Sequence, residues 1–311
     1  MTNKFQILSL DGGGIKGLFS AAVLAFLEDD LDIKIVDHFD LIVGTSTGGL
    51  IALGLGSGMA PKDIVEFYVT QGLNIFPANP LLFLKRYIRP KFDAGPVEDA
   101  LKSCFGGKRL ADSVTRLVIP SYNIGEDHVY LFKTPHHERL KRDWKVPLWK
   151  VGMATSSAPT YFPSFRKVDR IRLIDGGVWA NNPTMVGITE AISLLGQSLG
   201  SIKVFSLGTT DVVKGRPGRL DCGGLWQWRS DGIEVVMRGQ SIGTHTQAVH
   251  LLGEDKIHRL DPQVPDGLFK MDKLSGEELL GKAAHESRHF SPKFEAMFAD
   301  HRAAKYEPFY K

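Results

Sequence analysis

FDLIVGTSTGGLIALGLG, residues 39–56, is the stretch from which the fold can be read. It opens on a nearly unbroken apolar run, the pattern of a strand buried on both faces. Its last seven residues, LIALGLG, are apolar and small, suited to a helix packed close against a sheet. The TSTGG between them leaves room only for a tight turn. The same order stands upstream, where FQILSL at 5–10 reads as a buried strand and the glycines of DGGGIKG at 11–17 turn the chain. Ile15, Leu18, Phe19, Ala22, Val23 and Phe26 then fall on one face of a helix. Downstream, 116–120 (RLVIP), 171–174 (IRLI) and 202–207 (IKVFSL) are further strand candidates. Strands alternating with helices predict an α/β fold with a mostly parallel sheet covered on both faces.

Less regular segments lie between these elements. Residues 77–96 hold four prolines and the run LLFLKRYIRPKF, and 208–224 hold five glycines and KGRPGR; both read as loops or lids. Ser291-Pro292 reads as a helix start, with serine as cap and proline at the first helical position. The chain shows no internal repeat.

The pentapeptide GTSTG at 44–48 fits the G-x-S-x-G nucleophile elbow, a strand-to-helix turn that lifts a serine hydroxyl clear of a sheet. With 33 glycines and 19 serines, about 0.2 such matches arise by composition alone, so context has to decide. Ser46 follows a buried strand and precedes a helix. A second match, GQSIG at 239–243, follows IEVVMRG, with charged Arg238 where a strand should end, so Ser241 reads as a polar turn or helix start. The glycine loop admits two readings. Gly12, Gly14 and Gly17, with Asp37 twenty residues on, fit a dinucleotide fingerprint. Alternatively, Gly12, Gly13 and Gly14 point backbone N–H groups at a substrate oxygen beside Ser46, an oxyanion hole. Asp175, at a strand end in IRLIDGGVWANNP, is the candidate base for the serine, against the alternative of a plain Asp-Gly turn. His245, His250, His258, His285 and His289 follow Asp175 in the chain order of a hydrolase triad. None stands beside a strand-end motif, and they read as surface or core histidines.

DGGGIKG at 11–17, GTSTGG at 44–49, SSAPTYFP at 156–163 and DGGVWANNP at 175–183 together resemble the ordered signature blocks of patatin-like phospholipases. The resemblance spans roughly residues 5–210. It implies a three-layer α/β/α fold, one domain over 1–311, and a Ser-Asp dyad. Ser46 would be the acylated nucleophile, Asp175 the general base, and Gly12, Gly13 and Gly14 the oxyanion donors. Lys16 stands where the family often has arginine, a change that leaves the backbone donors untouched. No metal or organic cofactor is implied. A looser resemblance is to compact bacterial members that serve as anti-phage effectors, silent until a cyclic oligonucleotide binds and then degrading the host membrane. It implies a cyclic dinucleotide or trinucleotide activator and peripheral contact with a phospholipid membrane surface. A silent storage or interaction protein and a nucleotide binder are the rival readings, and residues 211–311 carry no nucleotide motif.

Bulk properties agree with a folded globular chain: 311 residues, 43% hydrophobic and 23% charged. The N-terminus lacks the basic and apolar regions of a signal peptide. The most apolar stretch, 50–59, is broken by three glycines and far shorter than the roughly 20 residues of a membrane span. Cys104 and Cys222 offer neither a disulfide framework nor a zinc spacing, so a reducing cytoplasm is expected. A net charge of +3 does not indicate bulk nucleic-acid binding. The mixed basic and aromatic runs at 81–92 and 132–150 suit an interfacial surface or an ordinary solvated loop. A homo-oligomer stays open.

Overall fold

The structure, a computed structural model, describes residues 4–75, 90–212, 215, 218–228, 232–264 and 276–311. The strands are β1 (Phe5–Leu10), β2 (Leu41–Gly44), β3 (Arg116–Asn123), β4 (His128–Lys133), β5 (Leu173–Asp175), β6 (Ile202–Leu207), β7 (Asp211–Val212), β8 (Ile257–Leu260) and β9 (Gln263–Val264). The main helices are α1 (Gly17–Leu31), α2 (Thr47–Gly56), α3 (Pro61–Ile75), α4 (Gly95–Phe105), α5 (Leu148–Ser156), α6 (Thr184–Ser193), α7 (Gly232–Leu252) and α8 (Gly276–Phe294). The sheet runs β4-β3-β2-β1-β6-β8, with β5 also on β3; β4 and β5 are antiparallel to β3 and the other pairs are parallel. β7 and β9 form a separate parallel pair.

Strand periodicity sorts the core into two layers. Leu8, Leu10, Ile42, Leu117, Ile119, Phe205 and Leu207 point to one face, where they pack with residues of α1 to α5 and α8. Ile7, Leu41, Val43, Val118, Ile202 and Val204 point to the other, against α6 and α7. The α/β fold is therefore three-layered, with a mostly parallel central sheet. β1 has β2 on one side and β6 on the other, so chain direction across the sheet reverses beside it. The crevice at the C-terminal ends of such strands is where open α/β sheets build sites.

One feature of the sheet brings distant residues together. β4 occupies one edge of β3 from Val118 to Asn123. On the other edge β2 pairs with Arg116 to Val118, and β5 then pairs with Ser121 to Asn123 in the opposite direction. β2 and β5 thus share one lane and run toward each other, so the residues after Gly44 meet Asp175 end to end. Pro120 stands opposite the gap. Leu117 exchanges hydrogen bonds with Thr134 on the β4 side, so strand alternation faces the missing N–H of Pro120 to the gap, where no ladder bond is lost.

Three expectations need correction. α1 is not one-sided: Gly17 to Leu24 are all buried, because the helix is wedged between the sheet, α3 and α8. Ser291 and Pro292 do not start a helix; they lie in the last turn of α8, where the Ser291 hydroxyl donates to the Ser287 carbonyl four residues back at 2.9 Å. Segment 132–150 is not simply a loop either, since it contains the end of β4 and the start of α5. Several of its cations and rings are engaged internally: Arg142 lies over Tyr130 and pairs with Asp143, Trp144 stacks on Tyr310, and Lys133 pairs with Glu190. Of the run at 81–92, residues 81–89 lie outside the described residues, and Phe92 is buried against Phe162.

Candidate active site

Ser46 sits at the sharp turn between β2 and α2 with φ 54° and ψ −122°, a backbone region serine rarely adopts. The flanking glycines permit that turn. A Cβ on Gly44 would lie 2.2 Å from the Gly48 carbonyl oxygen, and one on Gly48 would lie 2.3 Å from that of Leu10. The Ser46 N–H donates to Thr155 Oγ1 at 3.0 Å, and that hydroxyl donates to the Pro120 carbonyl at 2.7 Å. The elbow is thereby pinned to β3 itself.

Asp175 ends β5 directly opposite. The Ser46 hydroxyl donates to Asp175 Oδ2 at 2.6 Å. Oδ1 accepts the Gly177 N–H at 2.7 Å, and the Asp175 N–H donates to the Ser157 carbonyl at 3.0 Å. Burial pushes the Asp175 carboxyl up to about 6, against the lowering effect of those two hydrogen bonds to Ser46 and Gly177. A carboxylate poised there is basic enough to take a proton near neutral pH.

The glycine loop lies alongside: a Cβ on Gly12 would be 3.2 Å from Ser46 Cβ. Its donors are fewer than the sequence suggested, because the Gly12 N–H already donates to the Asn181 carbonyl at 3.0 Å. The N–H groups of Gly13 and Gly14 have no partner among the described residues. A further tie joins the elbow to the turn after Asp175, the Thr45 hydroxyl donating to the Ala180 carbonyl at 2.6 Å. Thr155, Thr45 and Asn181 were not legible as site residues, since each acts through hydrogen bonds to residues far away in sequence, which no spacing rule reports. The blocks at 11–17, 44–49, 156–163 and 175–183 thus meet at one point.

The competing residues fall elsewhere. Asp37 lies in a 3₁₀ turn ahead of β2, at the N-terminal edge of the sheet, and pairs with Arg302 at 3.2 Å. The glycine loop follows the C-terminal end of β1, a strand length away, roughly 17–20 Å. The two cannot grip one dinucleotide. Ser241 is mid-helix in α7, not at an elbow. Among the described residues no histidine hydrogen-bonds Ser46 or Asp175. His258 stacks on Phe290, its imidazole pushed down to about 4 by burial, while His285 and His289 touch each other on α8. No cluster suited to a metal ion occurs among the described residues.

A family model described as patatin-like phospholipase matches residues 8–188, more than half the chain and all four blocks. The chain belongs to the patatin-like phospholipase family. A protein of Pseudomonas aeruginosa named cGAMP-activated phospholipase is 32% identical over 266 residues, covering 84% of this chain and 80% of that one. A Vibrio cholerae protein of the same name is 31% identical over 302 residues, covering 85% and 83%. Both matches span more of the chain than the family model does. Among solved structures, VipD from Legionella pneumophila covers 94% of this chain and 67% of its own at a TM-score of 0.50 and 12% identity, a likeness of fold alone.

Proposed function

We propose that this patatin-like protein is a serine acyl-hydrolase that releases fatty acid from phospholipid and is switched on by a cyclic dinucleotide. The 2.6 Å hydrogen bond from the Ser46 hydroxyl to a buried Asp175, made at a strained elbow, carries the chemical part of the reading. Asp175 accepts the Ser46 proton as Oγ attacks the ester carbonyl, and the oxyanion forms against the N–H groups of Gly13 and Gly14. Collapse breaks the ester C–O bond, Asp175 returns the proton to the departing alcohol, and the acyl group stays on Ser46. Water, deprotonated by Asp175, then cleaves the acyl-serine to a fatty acid and restores the serine. The names of the two bacterial relatives support both phospholipid as substrate and cGAMP as activator.

The test has two arms. A fluorophosphonate probe should label the protein at Ser46, mapped by mass spectrometry, and Ser46→Ala should lose labelling and ester hydrolysis by several orders of magnitude. Fatty-acid release from phospholipid vesicles should rise when cGAMP is added. Labelling at Ser241 would overturn the nucleophile. Full release without cGAMP, unchanged on adding it, would remove the activator and leave the hydrolase.

A further inference from the structure

The glycine loop has an anchor that the family-matched segment does not supply. Asp11, the first residue of the loop after β1, is buried; its Oδ2 accepts from Arg259 Nη2 at 2.7 Å and from the Ser241 hydroxyl at 3.4 Å, while its buried Oδ1 has no partner among the described residues. Arg259 comes from β8 at the far edge of the sheet, well beyond residue 188. The same guanidinium donates to Asp261 Oδ2 at 2.6 Å and to the Ser206 hydroxyl at 2.9 Å. One guanidinium therefore holds two carboxylates and, with the Ser241 hydroxyl at 3.3 Å, two hydroxyls; the carboxylates lie on Nη2 and Ser206 on Nη1, a two-pronged arrangement that the rigid, planar arginine head presents and a single ammonium does not.

Such a cluster is expensive as a source of stability. Taking charges out of water largely cancels their attraction, and apolar residues of the same volume commonly do as well. Its position is more informative. A loop that leaves the Gly13 and Gly14 N–H groups unpaired cannot hold its own shape through them. Beyond the bond from the Gly17 N–H to the Gly14 carbonyl, what holds it is external: the Asp11 N–H on the Leu207 carbonyl at 3.0 Å, the Gly12 N–H on Asn181, the Thr209 hydroxyl on the Gly12 carbonyl at 3.4 Å, and, as the ion-paired side chain among residues 11–14, Asp11 on Arg259.

We infer that Arg259 is a positioning residue: through the Asp11 carboxylate it fixes the backbone of Gly12 to Gly14 beside Ser46. The inference rests on the acyl-hydrolase reading for its kinetic consequence, but its structural consequence can be measured without catalysis. In Arg259→Met, amide hydrogen exchange in segment 11–17 should rise at least tenfold, while exchange in α2 stays unchanged. On a soluble p-nitrophenyl ester, kcat should fall roughly 10- to 100-fold with KM within about threefold of wild type, as expected when oxyanion donors are misplaced rather than substrate binding lost. Arg259→Lys should fall between the two. Unchanged exchange in 11–17 in a folded Arg259→Met protein overturns the inference whatever the enzyme does. Wild type that, with cGAMP present, neither labels with fluorophosphonate nor turns over ester overturns the hydrolase reading alone. If Arg259→Met does not fold, Asp11→Asn keeps the shape, removes the charge, and carries the same expectation and the same overturning result.

Discussion

Asp175 is costly to the folded chain and, as the proposed base, suited to the reaction for the same reason. Its folded-state carboxyl is pushed up to about 6 by burial, above the usual 3.8. The stability it permits is complete below the unfolded value and is lost as pH rises through about 6, because the unfolded chain ionises more readily. At pH 7 the group therefore opposes folding by an amount on the order of 2–3 kcal/mol. Asp175→Asn should raise the unfolding temperature at pH 7, with the gain shrinking as pH is lowered toward 5, and should abolish ester hydrolysis. A melting temperature unchanged or lowered at pH 7 would contradict this account. In the proposed mechanism the ionised form takes the proton, so kcat/KM of the wild type should climb with pH through about 6, and a flat profile from pH 5 to 8 would assign the base elsewhere. Ser46 and Asp175 were legible in the sequence because each stands at or just past a strand end with paired glycines close behind, Gly48-Gly49 and Gly176-Gly177. Arg259 was not: a lone arginine in an edge strand has no pattern, and its role exists only once β8 is placed against β6.

At the scale of elements, β1, β2, β3 and β6 were legible because strands buried on both faces read as continuous apolar runs. α7 was obscured. Its sequence mixes β-branched residues with Gly232, Gly239 and Gly243, and it becomes a helix through packing on α6 and the turn after Asp175 rather than through propensity. α8 was misplaced from the sequence, where Ser291-Pro292 reads as a helix start; Pro292 instead lies inside the helix, exposed, four residues after Arg288. The ring removes one hydrogen bond to the Arg288 carbonyl, and the chain then widens into a π turn at Glu295–Ala299 that seats Phe298 in the core. Pro292→Ala should stabilise the protein by about 1 kcal/mol, less than the ~3 kcal/mol of a rigid helix interior because the wide turn already absorbs the misfit. Chemical denaturation measures it. A destabilised variant would mean that the proline's kink is what seats Phe294 and Phe298.

Over the whole molecule, the last residues strap the sheet edge opposite the site. Ala303 N–H donates to the Asp37 carbonyl and Phe309 N–H to that of Pro135, both at 2.8 Å; Tyr306 is buried with Arg116 over its ring, and Tyr310 stacks on Trp144. Removing residues 303–311 should cost about 2–4 kcal/mol, chiefly for Tyr306 and the uncovered rings. The fluorophosphonate labelling rate at Ser46, measured well below the melting temperature, should stay within twofold. A large loss of labelling in folded protein would show that the strap reaches the reactive end. The sharing of one lane by β2 and β5 has its own consequence for how this chain tolerates change. Ser46 and Asp175 are 129 positions apart in sequence, yet their separation is copied from the four residues Val118 to Ser121 of β3, as from a ruler. Insertions anywhere in the intervening loops leave that spacing alone. One residue inserted into β3 between the two docking points would shift Asp175 by roughly 3.3 Å and turn it to the opposite face of the sheet. The loops between Ser46 and Asp175 are therefore free to change in length, while this one stretch of strand is not.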